Sequence, residues 1–225
     1  DNLPAEIADQ QVIELPFPAN ESVVDELLYA YDNSYRQPGT TTFVLDTSGS
    51  MEGQRIASLK DIMHSLIDGS ASTLTGDVSL RDRENVTLQS FDSRPNDPVT
   101  ARFSHEDPAA AAELTNYVDG LSASGSTAMY QTLLEALRGT DPAGGIPSIV
   151  LLSDGQDTVG PRFSGFKEEY EQLPAAQRSV PVFVILYGDA SESEMRELAE
   201  LTGGEVFDAL GGDLAAAFKE IRGFQ

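Results

Sequence analysis

Oxygen-bearing side chains in three short motifs of this sequence could together hold a hard metal ion. The motifs read DTSGS, GSTAMY and LLSDG. Their candidate ligands are two carboxylates and three hydroxyls: Asp46, Ser48, Ser50, Thr127 and Asp154. Oxygen ligands without His or Cys suit Mg²⁺, with Mn²⁺ or Ca²⁺ as substitutes. We therefore predict a divalent-metal site made by these five residues.

The composition excludes several other kinds of function. The 225 residues carry 14 Lys and Arg against 37 Asp and Glu, a formal net charge of −23. A chain this acidic has little to offer nucleic-acid phosphates or anionic lipid. The lack of Cys excludes thiolate zinc sites and Cys nucleophiles, and two histidines disfavour a Ser-His-Asp triad. The composition therefore argues against nucleic-acid binding, docking on anionic lipid, Cys chemistry and a Ser-His-Asp triad.

The elements that must position the motifs alternate between apolar runs and helix-like periodicity from residue 41 onward. Four runs (41–46, 85–91, 146–153 and 180–188) are apolar enough to be strands buried on both faces. The pattern predicts an α/β fold, with a doubly wound, mostly parallel sheet flanked by helices and one antiparallel edge strand at 99–103. In such a sheet ligands bind at the carboxyl ends of the strands, where DTSGS and LLSDG lie.

Each motif also has an ordinary interpretation when it is taken alone. Asp and Ser are common at helix starts, so an isolated DTSGS is typical of a capped turn. Three oxygen-bearing motifs directed to one sheet edge are harder to explain in that way. Their coincidence favours the metal site.

Together these residues resemble the von Willebrand factor type A domain with its metal-ion-dependent adhesion motif. The resemblance runs from about Thr41 to Arg222 and includes the tail VPVFVILYGDASESEMRELAELTGGEVFDA. It implies a Rossmann-like fold in which Ser48 and Ser50 bind the metal directly. Thr127 would switch between direct and water-mediated contact, while Asp46 and Asp154 would act through waters.

The resemblance implies protein binding and no catalysis. An ion held by three neutral hydroxyls stays short of negative charge and accepts an Asp or Glu carboxylate from a protein partner. One alternative is a cytoplasmic subunit that works with an AAA+ ATPase, as in chelatase-like systems. A Mg²⁺-dependent phosphatase of the haloacid dehalogenase type is disfavoured, because such enzymes need a second acid where this chain has Ser48.

Residues 1–40 are set apart from the predicted domain at 41–225. They are expected to be an N-terminal extension or the remnant of a preceding domain, since they weakly resemble the segment before this domain in envelope proteins with a solute-binding-like part. The first residue is Asp1, and no stretch approaches the roughly 20 apolar residues of a membrane helix. We therefore expect a piece of a larger exported protein, located outside the cytoplasm.

Overall fold

The computed structural model describes most of the chain from residue 35 onward. The described residues are Val23, Tyr31, 35–70, 79–141, 144–155, 157–187, 192–208, Phe218 and Ile221. The fold belongs to the compact unit Gln37–Gln225, which is separate from the unit Asp1–Arg36. The division of the sequence at residues 40 and 41 remains a prediction. Of the helix that the sequence suggests at 22–31, all but Val23 and Tyr31 lies outside the described residues.

A six-stranded sheet forms the centre of the larger unit, in the order β3-β2-β1-β4-β5-β6. Among the strand pairings that the structure describes, only β2–β3 is antiparallel, so the predicted antiparallel edge strand is confirmed. The order reverses at β1, which pairs with β2 on one side and with β4 on the other. The strands are β1 (Gly39–Asp46), β2 (Asn85–Phe91), β3 (Val99–Arg102), β4 (Ile146–Ser153), β5 (Val182–Leu186) and β6 (Val206–Asp208).

Helices cover both faces of the sheet, so successive residues of the central strands enter different cores. On β1, Phe43 and Leu45 join one buried cluster and Val44 joins the other. On β4, Leu152 and Leu151 are divided in the same way, and all five side chains are at most 2% exposed. The unbroken apolar runs of the sequence follow from this burial on two sides.

The helices begin and end largely where local sequence signals place them. Pro108 stands at the first helical position of α2, and the Asp107 carboxylate accepts the amide N–H of Ala109 at 3.0 Å. Gly69 ends α1 in the left-handed conformation, with φ 80°. The helices are α1 (Gln54–Asp68), α2 (Pro108–Gly120), α3 (Met129–Gly139), α4 (Phe163–Glu171), α5 (Ala175–Arg178) and α6 (Glu192–Thr202), and a 3₁₀ turn covers Gly49–Met51.

The structure corrects two details of the sequence interpretation. The sequence at 69–84 predicts a long exposed loop; residues 71–78 lie outside the described part, but in the described part, 79–84, Leu80 and Glu84 are fully buried. The amide of Leu80 donates to the carbonyl of Leu66, which ties this stretch to α1. The run at 180–188 contains a strand of only five residues, Val182–Leu186. The predicted C-terminal helix lies outside the described residues except Phe218 and Ile221, which are both buried.

Candidate metal site

Asp46 lies at the carboxyl end of β1, where the strand order reverses. It is fully buried, and Leu45 before it pairs with Leu152 of β4, so Asp46 comes level with Ser153. One carboxylate oxygen accepts the backbone N–H of Ser48 at 2.9 Å, and the other accepts the hydroxyl of Ser153 at 2.5 Å. Burial raises the pKa of Asp46, although these hydrogen bonds partly offset that effect. The protein therefore holds a carboxylate here at a cost that a nearby cation would relieve.

The two serine hydroxyls of DTSGS lie side by side. Ser48 Oγ and Ser50 Oγ are 3.0 Å apart. Ser48 is 1% exposed and Ser50 is exposed, so the pair reaches from the interior to the surface. The 3₁₀ turn sets this spacing, because the amide of Met51 donates to the carbonyl of Ser48 and the Met51 side chain is buried beneath it.

Backbone hydrogen bonds bring the loop of Thr127 against DTSGS. The amide of Gly49 donates to the carbonyl of Gly125 at 3.1 Å, and the amide of Ser124 donates to the carbonyl of Thr47 at 2.8 Å. A Cβ at Gly49 would lie 3.1 Å from that carbonyl oxygen, so a larger residue would crowd the junction. Thr127 is 3% exposed, and its hydroxyl makes no hydrogen bond to the described residues.

Asp154 follows β4 and carries a buried oxygen without a partner. Its Oδ2 receives the guanidinium of Arg55 at 3.1 Å, while Oδ1 is buried and accepts no hydrogen bond within the described part of the chain. The same Nη1 of Arg55 donates to the carbonyl of Ser50 at 3.0 Å. Arg55 thus links the DTSGS loop to the loop after β4. A buried acceptor left without a donor is costly, so this oxygen points to a missing cation or water.

Hydrogen bonds therefore connect four of the five predicted ligands, three of them directly and Asp154 through Arg55. Asp46, Ser48 and Ser50 form a chain of hydrogen bonds, and Asp154 joins Ser50 through Arg55. Thr127 is connected only through the backbone of its loop. No three His, Asp or Glu side chains cluster as a metal site among the residues that the structure describes. The mixed set of hydroxyls and carboxylates, with its unpartnered Asp154 oxygen, fits a hard divalent ion.

Sequence reasoning missed several residues around this set. Ser153 holds Asp46, and Arg55 holds Asp154, but the contacts join positions 107 and 99 residues apart. The sequence indicates only a loop carboxylate near a turn at Asp157, whereas the structure shows that its Oδ1 accepts the amides of Met129 and Tyr130 and so caps α3. Of these residues, Arg55 could have been suspected from the sequence, because it lies shortly after DTSGS, at the start of α1.

Comparison with known proteins gives the same architecture. A family model described as the von Willebrand factor type A domain matches residues 41–207. Inter-alpha-trypsin inhibitor heavy chain H4 of Homo sapiens is 28% identical over 140 residues, 59% of this chain. The match spans only 14% of that relative.

Solved structures agree in fold at low sequence identity. A von Willebrand factor type A protein from Catenulispora acidiphila superposes with a TM-score of 0.62 at 21% identity, over 83% of this chain and 42% of the other. Manganese-loaded TRAP protein from Plasmodium vivax gives 0.59 at 18% identity, over 84% and 73%. The pilus adhesin SpaC from Lactobacillus rhamnosus GG gives 0.59 at 14% identity, over 86% and 31%. These likenesses show the fold.

Proposed function

Because the chain belongs to the von Willebrand factor type A domain family, we propose that residues 41–225 form a protein-binding module that depends on a divalent metal. The metal is Mg²⁺, with Mn²⁺ or Ca²⁺ as substitutes, and its site is the set Asp46, Ser48, Ser50, Thr127 and Asp154. The observation that carries the proposal is the buried Oδ1 of Asp154, which has no partner among the described residues. Arg55 links this carboxylate to the loop of Ser48 and Ser50, whose paired hydroxyls can turn toward a cation.

The charge of this set favours recognition of a carboxylate. Three of the five side chains are neutral, and Asp154 already shares its charge with Arg55. When bound, the ion supplies a Lewis-acidic position that a carboxylate oxygen of a protein partner can fill. Ser50 is exposed, so a partner can reach this edge of the sheet. The partner should therefore present an Asp or Glu side chain.

The geometry of Asp46 supports binding without catalysis. Both of its oxygens accept hydrogen bonds, and the residue is fully buried. A nucleophilic carboxylate needs an open oxygen and a general acid within reach, whereas the position two residues later is Ser48. The site therefore lacks the parts of an aspartate-based phosphatase.

The setting of the module is proposed from the same comparisons. A bacterial pilus adhesin and a metal-loaded TRAP protein share its fold. We place this module likewise outside the cytoplasm, as part of a larger protein. No helix among the described residues is long and apolar enough to cross a membrane.

Calorimetry with Mg²⁺ and with Mn²⁺ tests the site. We expect one binding site in the native chain and none in Asp46→Asn, which keeps the side-chain volume and an acceptor oxygen. Because Asp46 is buried, Ser50→Ala provides a second variant at an exposed position that should weaken binding without loss of folding. Ser124→Ala is the matched control, since this exposed serine lies on the neighbouring loop and its hydroxyl has no hydrogen bond to the described residues.

The proposed binding of a carboxylate to the metal is tested separately with acetate. Mn²⁺ bound to the chain should relax water protons, and acetate should reduce that relaxation by displacing metal-bound water. Acetate without effect on the Mn²⁺-loaded chain would contradict the recognition of a carboxylate. Equal metal affinity in the native chain, Asp46→Asn and Ser50→Ala would contradict the site itself.

A further inference from the structure

A polar cleft of about 480 Å³ opens beside the candidate metal site. Its floor is the start of α3 with Tyr130, and its walls come from the loop before α4 and from the first turn of α6. The side chains that matter for its chemistry are Asp157, Arg162, Phe163 and Glu194. Protein clefts of a few hundred Å³ suit one side chain or one small ligand.

The cleft is continuous with the loop that carries Thr127. Thr158 lines the cleft, and its hydroxyl accepts the backbone N–H of Thr127 at 2.8 Å. The carbonyl of Thr127 accepts the amides of Thr158 and Val159 in return. The cleft therefore lies next to one of the loops that form the candidate metal site.

The negative charge of the cleft exceeds its positive charge. Asp157 and Glu194 face it from two elements, whereas Arg162 is its single cationic lining residue and is exposed. Burial and the negative charges of Glu194 and Asp46 raise the pKa of Asp157 to about 6. A cation that enters the cleft would meet this uncompensated negative charge.

Both acids have an oxygen available for a ligand. Glu194 accepts the hydroxyl of Tyr130 through Oε1 at 2.6 Å, and Asp157 uses Oδ1 for the amides of α3. The second oxygen of each makes no hydrogen bond or ion pair with the described residues. Two carboxylate oxygens are thus available to N–H donors.

Aromatic rings line the same space. Phe163 stacks on Tyr130, with ring centroids 5.6 Å apart. The alkyl stem of a lysine or arginine packs well against such rings, and the cationic head gains further attraction from a ring face. Lys167 Nζ already lies 4.4 Å from the centroid of the Phe163 ring, so this ring accepts a cation, whereas an acidic side chain in the cleft would meet both carboxylates.

We infer that this cleft binds a lysine or arginine side chain of the protein whose carboxylate the metal site accepts. The inference rests on the proposed function for the identity of the partner, but the cation site itself does not require the metal. The module would then read an acidic residue and a basic residue of one partner together. Such a pair gives more specificity than a single coordination bond.

Small amides of single amino acids provide the test. Nα-acetyl-lysine and Nα-acetyl-arginine methylamides are titrated into the full chain in EDTA, with side-chain NMR of Tyr130 and Phe163 as the readout. We expect both probes to shift these signals, with the norleucine and glutamate methylamides inert at equal concentration. Because EDTA removes the metal, this titration tests the cation site alone, whereas calorimetry with Mg²⁺ tests the metal site.

Glu194→Gln identifies the acidic partner in the cleft. The variant keeps an acceptor for the Tyr130 hydroxyl but removes the charge, and we expect it to weaken the cationic probes about fivefold. Glu200→Gln is the matched control, because Glu200 is exposed on the same helix and does not line the cleft. Equal binding of norleucine, preferential binding of glutamate, or unchanged affinity in Glu194→Gln would each overturn the inference.

Discussion

Replacing Arg55 by Met should destabilise the metal-free chain and tighten metal binding. Arg55 Nη1 lies 3.1 Å from Asp154 Oδ2, and the Asp154 side chain is 5% exposed while that of Arg55 is 41% exposed. Without Arg55, both oxygens of this buried carboxylate lack a donor among the described residues. Methionine has about the length of the aliphatic part of arginine, so the substitution mainly removes the charged guanidinium.

The expected loss of stability follows from the burial of Asp154 and the partial exposure of Arg55. A hydrogen bond to a charged group contributes about 1.5–3 kcal/mol, and the exposed side of the pair favours the lower end of that range. For a chain of this size, a loss of about 1.5 kcal/mol lowers Tm by about 3–6 °C. If a bound Mg²⁺ replaces the charge of Arg55 near Asp154, most of that loss disappears with metal present. The thermodynamic cycle then requires about fivefold to tenfold tighter Mg²⁺ binding in the variant.

Thermal unfolding in EDTA and in saturating Mg²⁺ measures the loss of stability without and with metal, and calorimetry measures the Mg²⁺ affinity. Arg138→Met is the control, because Arg138 pairs with Glu169 at 2.7 Å on the surface and its removal should cost little in either buffer. An equal Tm loss of Arg55→Met in EDTA and in Mg²⁺ would refute the reasoning. Weaker Mg²⁺ binding in the variant would show instead that Arg55 holds Asp154 in place for the ion.

Three further outcomes are expected. The chain should show no metal-dependent turnover of phosphate esters, as measured with p-nitrophenyl phosphate. Turnover that disappears in Asp46→Asn but persists in Ser50→Ala would contradict this prediction. Asp157→Asn should gain stability relative to the native chain as pH rises from the ordinary aspartate pKa of 3.8 to about 6, because over that range the folded native chain holds the Asp157 proton more tightly than the unfolded chain does. Screening of this half-buried group limits the gain to about 1 kcal/mol. Parallel stability curves of the two chains from pH 4 to 7 would be the contrary result. Ser153→Ala should cost about 1–3 kcal/mol, because it removes the hydroxyl that donates to the buried Asp46 side chain; unchanged stability in chemical denaturation would contradict it.

The strand order explains why the candidate site lies where it does. Loops that leave neighbouring parallel strands on opposite sides of a switch point open a crevice between them. Here β1 and β4 are those neighbours, and their ends bring Asp46 and Ser153 into contact. The loop of Thr127 enters the same edge because backbone hydrogen bonds tie it to DTSGS. One topological feature therefore accounts for the assembly of three distant motifs.

The amino-acid sequence alone determined the type of fold and the candidate ligands. Burial on both faces leaves continuous apolar runs, and the runs at 85–91 and 146–153 coincide with β2 and β4. Asp107-Pro108 predicted the start of α2 because capping is a local interaction. The ligand motifs could be predicted for a similar reason, since their chemistry is contained in a few consecutive residues.

Only the tertiary structure decided which distant groups surround those ligands. The contacts of Arg55 with Asp154, of Ser153 with Asp46 and of Glu194 with Tyr130 depend on strand order and helix placement, which local residue patterns do not encode. The cleft exists because loops separated by many residues meet at one edge of the sheet. Local propensity acts over a few residues, whereas these contacts join positions 64 to 107 residues apart, so packing alone brings them together.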